Sequence, residues 1–417
     1  MNKLHFVGVG GSGMSALAVY HAQRGGSVTG SDRAFDNNER QEIRAALEKA
    51  GVVIVPQDGR GVSSDCDAVV VSTAIEETIA DIISARKFDI PILHRSELLA
   101  RFVSGKRTIA ITGTSGKSTT VAMAFEVLKF AGLEPSCITG GPLKMLDGLG
   151  NVYTGSGDIL VIEADESDGS LVRYHPEVGV VLNLQRDHKE PAEVAQMFSV
   201  FASQVEHLIT APDENLRYLD GELFNPVAQV NLPVPGAHNI SNANAAIAAC
   251  EKFGVPREVA LQALDQFHGV SRRFNVVGTA NGVTVIDDFA HNPDKITAAV
   301  TTAIEMTSGK VIAIFQPHGF GPTRFLRDDL ISAFSKCLAG HVLLMPEIYY
   351  AGGTVTRDIS SIDIIDQVTG VDARFVERTD LPEVISKIAE PGDMVLMMGA
   401  RDPSLTTLCE TILEALR

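Results

Sequence analysis

The chain has 417 residues, too many for one ordinary hydrophobic core, so two or three domains are expected. Hydrophobic residues make up 45% of it, which argues for packed globular domains and against disorder, and no apolar run reaches membrane-spanning length. The net charge of −17, from 35 basic against 52 acidic residues, builds no broad basic face and argues against nucleic acid as a partner.

The segment from Met1 to Met14 is apolar but broken by Gly8, Gly10, Gly11 and Gly13. A strand over Leu4 to Val9, a glycine turn and a helix to about Gln23 are expected there rather than a signal peptide. The turn fits Gly-x-Gly-x-x-Gly, and Asp32 ends the next strand, Ser27 to Ser31. That is a dinucleotide fingerprint in its proper setting, and the same geometry holds any diphosphate, that of a UDP-sugar included. Further strands are expected at Val52 to Val55, Ala68 to Ser72 and Ile90 to Leu93, then a helix from about Ser96 and a basic linker over Ser104 to Arg107.

The second block opens on a β-branched strand that runs into Gly113-Thr114-Ser115-Gly116-Lys117-Ser118-Thr119 and a helix to about Ala131. This is a short phosphate-gripping loop. Backbone N–H groups freed by the glycines point at phosphate oxygens, Lys117 adds charge and Ser118 can hold a magnesium ion. A strand over Asp158 to Ile162 leads to the acidic run Glu163 to Asp168, and another over Gly179 to Leu182 leads to Asp187-His188. Strand ends on one side of a parallel sheet gather at one crevice, so Glu163 and His188 are expected beside Ser118 as metal ligands. Alanine-rich helices follow over Ser241 to Phe253 and Glu258 to Phe267, the first opened by the polar cluster His238, Asn239, Asn242 and Asn244, whose amides match an adenine edge.

A third block starts near Arg273, with strands at Val283 to Ile286, Val311 to Phe315, His341 to Leu344 and Met394 to Met397. Arg272 and Arg273 read either as a solvated linker or as phosphate contacts across a cleft. Asp288 is a candidate for a ribose hydroxyl and His291 for the reaction centre. Gln316-Pro-His318 is a further strand-end cluster. The alternation of strand and helix throughout gives α/β domains with mostly parallel sheets. The five cysteines are far apart, with no Cys-x-x-Cys pair, and read as buried free thiols of a reducing cytoplasm.

Together these motifs resemble the Mur ligase family, ATP-dependent enzymes that attach amino acids or peptides to a UDP-sugar. The resemblance rests on Gly113 to Thr119, Glu163 to Ser170, Asp187-His188, His238-Asn239 with Asn242, and Asp288 to Pro293, and it spans nearly the whole chain. His5 to Ser15, Arg272 to Phe274 and Gln316 to His318 look most like members that act on UDP-N-acetylmuramate. The resemblance implies three domains: a Rossmann-like one over residues 1–103 for the UDP-sugar, a P-loop ATPase-like one over 104–272 for ATP and magnesium, and a Rossmann-like one over 273–417 that receives the amino acid or peptide. It implies Lys117, His188 and His291 at the reaction centre. ATP would meet the 113–119 loop, His238, Asn239, Asn242, Arg273 and Asp288, and the cation would meet Ser118, Glu163 and His188. Gly10, Gly11, Ser12, Gly13, Met14, Asp32, Ser72, His318 and Arg324 would hold substrate. A monomer or homodimer in the bacterial cytoplasm, with no membrane or nucleic acid partner, completes the expectation.

The chain also departs from the family pattern. Ser115 stands where alanine-adding members usually have histidine. Gly319 and Pro322 stand where they usually carry two arginines that hold the incoming carboxylate. The stretch from His188 to Pro235 is short, and Phe198 to Ser203 has no lysine where other members use a carbamylated one. Synthesis and peptide recycling both stay open. So do two readings of another class, a nicotinamide-dependent oxidoreductase using the first glycine turn and a non-catalytic sugar-nucleotide sensor.

Overall fold

A computed structural model describes residues 1–187, 189–224, 230–350 and 356–417. Three sheets follow one another along the chain. The first has five parallel strands, β1 (Lys3–Val7), β2 (Ser27–Ser31), β3 (Val53–Ile54), β4 (Ala68–Val71) and β5 (Ile92–His94), in the order β3-β2-β1-β4-β5. The strand order reverses beside β1, so the glycine turn that follows β1 lies at the sheet's switch point, where open α/β sheets bind their ligands.

The second sheet holds β6 (Arg107–Thr112), β7 (Ser136–Ile138), β8 (Val152–Tyr153), β9 (Ile159–Glu163), β10 (Val178–Val181), β11 (His207–Thr210) and β12 (Glu222–Leu223), ordered β12-β11-β10-β6-β9-β7-β8. Among its described strands only the β7–β8 pair is antiparallel. The phosphate-loop strand β6 lies between β9 and β10, so the loops after all three strands leave the same edge of the sheet. The helix Lys117–Phe130, buried along most of its length, covers this sheet.

The third sheet runs β13-β14-β18-β15-β16-β17, from β13 (Asn275–Ala280), β14 (Val283–Asp288), β15 (Val311–Gln316), β16 (Val342–Met345), β17 (Asp372–Phe375) and β18 (Met394–Gly399). Among its described strands only β13, on the edge, is antiparallel to its neighbour. Alternate residues of β18 feed two cores: Met394, Leu396 and Met398 pack with Phe315 and Phe334, while Val395 and Met397 pack with Leu405 and Ile412. A sheet covered on both faces needs such continuous apolar strands.

The chain forms two compact units. One is Met1–Leu184, Pro191–Pro233 and Ser241–Val270; the other is Gln185–Glu190, Val234–Ile240 and Ser271–Arg417. The first two sheets therefore share a unit. The expected Ser104–Arg107 linker is corrected to a near-direct joint. The helix Arg95–Ser104 and β6 leave only Gly105 and Lys106 between them. Lys106 donates to the Gly157 carbonyl at 2.6 Å, and Arg107 grips Glu177 with two hydrogen bonds of 2.6 and 2.8 Å. The first alanine-rich helix starts at Ala237, four residues before the position expected, directly after Gly236 with its φ of +100°. β7, β8, β11, β12, β13 and β17 went unexpected. Most are two to four residues long, and β13 is half exposed. No described helix is long and apolar enough to cross a membrane.

Candidate active site

β6 delivers the chain to a turn in which Gly113 has φ +139° and Gly116 has φ +84°. A side chain fits neither position: a Cβ on Gly113 would lie 2.9 Å from Leu182 Cβ, and one on Gly116 would lie 2.4 Å from Asn242 Oδ1. The helix Lys117–Phe130 starts directly at Gly116, with no side-chain cap and no acidic residue in its first turn. Its first N–H groups are left to an anion. Asn183, at the end of β10, shapes the loop. Its Oδ1 accepts from Thr114 Oγ1 at 2.8 Å and from the Ser115 amide at 2.9 Å, and its Nδ2 donates to the Ser115 carbonyl at 3.1 Å.

The acidic run after β9 meets this loop. Lys117 Nζ donates to Glu166 at 2.6 Å and to the Gly113 carbonyl at 2.8 Å, with Asp165 at 3.7 Å. Burial works against the ammonium, but Glu166, Asp165 and Glu163 together outweigh it and hold the Lys117 pKa above its ordinary value. Lys117 is therefore a fixed positive charge at the mouth of the helix. Glu163 gathers three donors on one oxygen: Ser118 Oγ at 2.8 Å, the Gly140 amide at 2.9 Å and Thr139 Oγ1 at 3.1 Å. Ser118 and Glu163 thus come together as expected. His188 lies outside the described residues. Among the described residues no group of three His, Cys, Asp or Glu side chains could hold a metal ion.

In the first sheet Gly8 (φ +73°) opens the glycine turn, and the amides of Gly8 and Val9 bind the Ser31 carbonyl at 2.8 and 3.0 Å. Asp32 braces the same turn. It accepts from the Gly10 amide at 2.8 Å and from the Ala34 amide at 2.9 Å, so both its oxygens serve the backbone. Gly11 caps the helix Ser12–Gln23, which again has no acidic residue in its first turn; Ser12 and Gly13 start it, and Met14 is buried beneath them. Ser72 follows β4, and its carbonyl accepts from Ile75, whose side chain closes on Gly8.

The other unit carries its own polar centre. Asp187 accepts from Asn292 Nδ2 and Lys295 Nζ, each at 2.8 Å, and lies 3.7 Å from His291 Nε2. His291 Nδ1 is 2.9 Å from the Phe289 carbonyl, which can only accept, so Nδ1 carries the proton and Nε2 is the basic nitrogen. Burial first, then the charge of Lys295, hold this imidazole far below its ordinary pKa against the pull of Asp187. His318 stands edge-on to it at 5.5 Å between ring centres. Asp187, His291, His318 and Pro322 line one small pocket.

The paired arginines divide their work. Arg272 is a strut: it binds Asp287 at 3.1 Å and the carbonyls of Gly399 and Asp402 at 2.8 and 3.1 Å. Both arginines lie over the Phe289 ring, Arg272 at 5.3 Å and Arg273 at 5.0 Å. Asp288 accepts from the amides of Phe274 at 2.6 Å and Ala290 at 2.7 Å, and burial raises its pKa against Arg273 and these bonds. Burial also holds the His238 imidazole below its ordinary value; Asp288 pulls the other way and Arg273 adds to it. Asn239 Nδ2 donates to the Pro235 carbonyl at 2.6 Å. Arg324 pairs with Asp358 and donates to the Thr356 carbonyl. Gly319 has φ +70°, so a residue with a side chain there would be strained.

Asn183, Thr139 and Gly140 were not singled out from sequence. Asn183 had a signal, since it follows the expected strand over Gly179 to Leu182; Thr139 and Gly140 had none, because they follow β7, a three-residue strand that the pattern did not reveal.

Two family models match: "Mur ligase family, catalytic domain" over residues 3–107 and "Mur ligase, glutamate ligase domain" over residues 272–401. A UDP-N-acetylmuramate–L-alanine ligase of Pelotomaculum thermopropionicum is 32% identical, covering 96% of this chain and 95% of the relative. One of Paenarthrobacter aurescens is 34% identical, covering 100% and 97%. The crystal structure of the UDP-N-acetylmuramate–alanine ligase MurC of Thermotoga maritima superposes with a TM-score of 0.78 at 28% identity over 99% of each chain. That of the murein peptide ligase Mpl of Psychrobacter arcticus gives 0.67 at 21% identity over 100% of this chain and 99% of that one, a likeness of fold. Relatives at 32 and 34% identity along the whole chain, together with both family models, make this an ATP-dependent ligase that forms carbon–nitrogen bonds. The chain belongs to the Mur ligase family and has its three-domain fold. The nicotinamide reading of the first turn gives way to this one.

Proposed function

We propose that this ligase joins an amino acid or peptide to UDP-N-acetylmuramate in peptidoglycan synthesis, in the bacterial cytoplasm. The observation that carries the reading is the extent of the likeness: L-alanine ligases for this sugar nucleotide match over at least 95% of both chains. In this reading residues 1–103 take the sugar nucleotide at Gly10 to Met14. Residues 104–272 take ATP at Gly113 to Thr119, with Asn242 near the loop. Residues 273–417 bring Arg273, Asp288, His291 and His318.

The sugar's carboxylate oxygen attacks the γ-phosphorus of ATP, the bond to ADP breaks, and an acyl phosphate forms. The amine then attacks the acyl carbon, phosphate leaves, and the amine's proton passes to a base. Our candidate for that base is His291, whose Nε2 is unprotonated because Nδ1 donates to the Phe289 carbonyl. Lys117 offsets charge on the transferred phosphoryl group, where placement and electrostatics do most of the work.

The donor set at Ser118 and Glu163, a hydroxyl and a carboxylate sharing one hydrogen bond of 2.8 Å, suits magnesium, which takes few protein oxygens and fills the rest with phosphate and water. Bound there, the cation would neutralise phosphate charge. Glu163→Gln keeps the size and loses the charge. The magnesium concentration for half-maximal activity is expected to rise about tenfold or more. An unchanged magnesium titration would remove Glu163 from the metal site.

The deciding experiment holds ATP and UDP-N-acetylmuramate fixed and follows phosphate release across amino acids and cell-wall peptides. L-Alanine is the first candidate, as in the relatives. A peptide is the second, favoured by Gly319 and Pro322, which present no cation to an amino acid's carboxylate. A screen in which no amine gives phosphate release would refute the reading.

A further inference from the structure

The acidic run after β9 does more than hold Lys117. Two residues beyond Glu166, Asp168 forms an ion pair with Arg95, and both side chains are largely buried. Arg95 opens the helix Arg95–Ser104, on the first sheet's side of the unit. Its guanidinium also covers the glycine turn: a Cβ on Gly13 would lie 3.0 Å from Arg95 Nη1. Asp168 keeps its other oxygen for the Ser170 amide at 2.9 Å, so it belongs to the acidic loop while it grips Arg95. A second tie runs alongside, Asn151 Nδ2 to the Ser12 carbonyl at 2.8 Å. One short loop therefore carries carboxylates for both cations, Glu166 for Lys117 and Asp168 for Arg95.

A cation beside the first turn of a helix sits against the helix dipole and calls for an anion. Asp168 supplies one in this structure. A diphosphate on the glycine turn would supply another, and the two would compete for one guanidinium. We infer that Arg95 is a sugar-nucleotide contact and Asp168 a positioning residue, and that through this pair sugar-nucleotide binding loosens the acidic loop and releases Lys117 to the phosphates of ATP. The inference rests on the reading above that the glycine turn takes the sugar nucleotide and the Lys117 loop takes ATP. Coupling of this kind is reciprocal: each nucleotide tightens the other by one factor.

The test is calorimetric binding of UDP-N-acetylmuramate to the full chain, with and without a non-hydrolysable ATP analogue and magnesium. The wild type is expected to show tightening of about fivefold or more. Arg95→Gln is expected to weaken the sugar nucleotide alone by about tenfold, the loss of one charge-assisted contact. Asp168→Asn is expected to leave that affinity unchanged or improve it, because the competitor is gone. Both variants should abolish the tightening, and Asp168→Glu should restore it. Equal weakening in both variants with the tightening intact would mark the pair as structural scaffolding and overturn the inference, as would a wild type with no tightening. A wild type that binds no UDP-N-acetylmuramate at all would defeat the proposed function and this inference together.

Discussion

Lys117→Ala is expected to lower ATP-dependent phosphate release by on the order of 10³-fold, the scale on which a single cation acts in phosphoryl transfer. Lys117 is the loop's one ammonium, and its elevated pKa keeps it charged at every pH at which the enzyme would work. The variant also leaves Glu166 and Asp165 without their counter-charge in a buried site, so some stability is lost with the activity. Calorimetric binding of the sugar nucleotide separates the two effects. It should survive, because the glycine turn of the first sheet does not contact Lys117. A variant that keeps a tenth of wild-type turnover would take the phosphate-loop assignment down.

Gly116→Ala should be nearly as damaging. The position carries φ +84°, and the added methyl would press within 2.4 Å of Asn242 Oδ1. Left-handed backbone costs a non-glycine residue roughly 1–2 kcal/mol, and here the clash is added to it. The expected result is a fall of about 100-fold in kcat/KM for ATP, equivalent to roughly 2.7 kcal/mol. Gly132→Ala is the matched control. It has φ +78° and nothing within 4 Å of the added atom. It should lose about 1 kcal/mol of stability in a denaturant melt and none of the activity. If both variants behave alike, the effect at Gly116 is backbone strain alone and the loop geometry is not what holds ATP.

Much of this site is legible in the amino-acid sequence because its parts are local. Gly113 to Thr119 and Gly8 to Gly13 each sit between a strand and a helix, and strand-to-helix turns announce themselves through β-branched runs and glycines. What sequence left out was partnership across long separations. Asn183 closes on Thr114 and Ser115, 69 and 68 residues away, and Arg95 meets Asp168 across 73. No periodicity encodes such pairs. Arg272 and Arg273 could not be told apart either, because adjacent residues of one type look alike until their partners are known. Both lie over the Phe289 ring, but only Arg272 is held by Asp287 and the Gly399 carbonyl. The same limit applies to Arg324, whose partner Asp358 lies 34 residues on.

The division of the chain bears on how its pieces can be made. Gln185–Glu190 and Val234–Ile240 belong to the later unit although they precede its main body by tens of residues. A fragment started at Ser271 would carry Lys295 and Asn292 but not Asp187, the carboxylate they share. The severed piece would have to keep an ammonium in a pocket shaped for a pair, so dissecting this ligase at the obvious seam would yield a damaged part rather than a module.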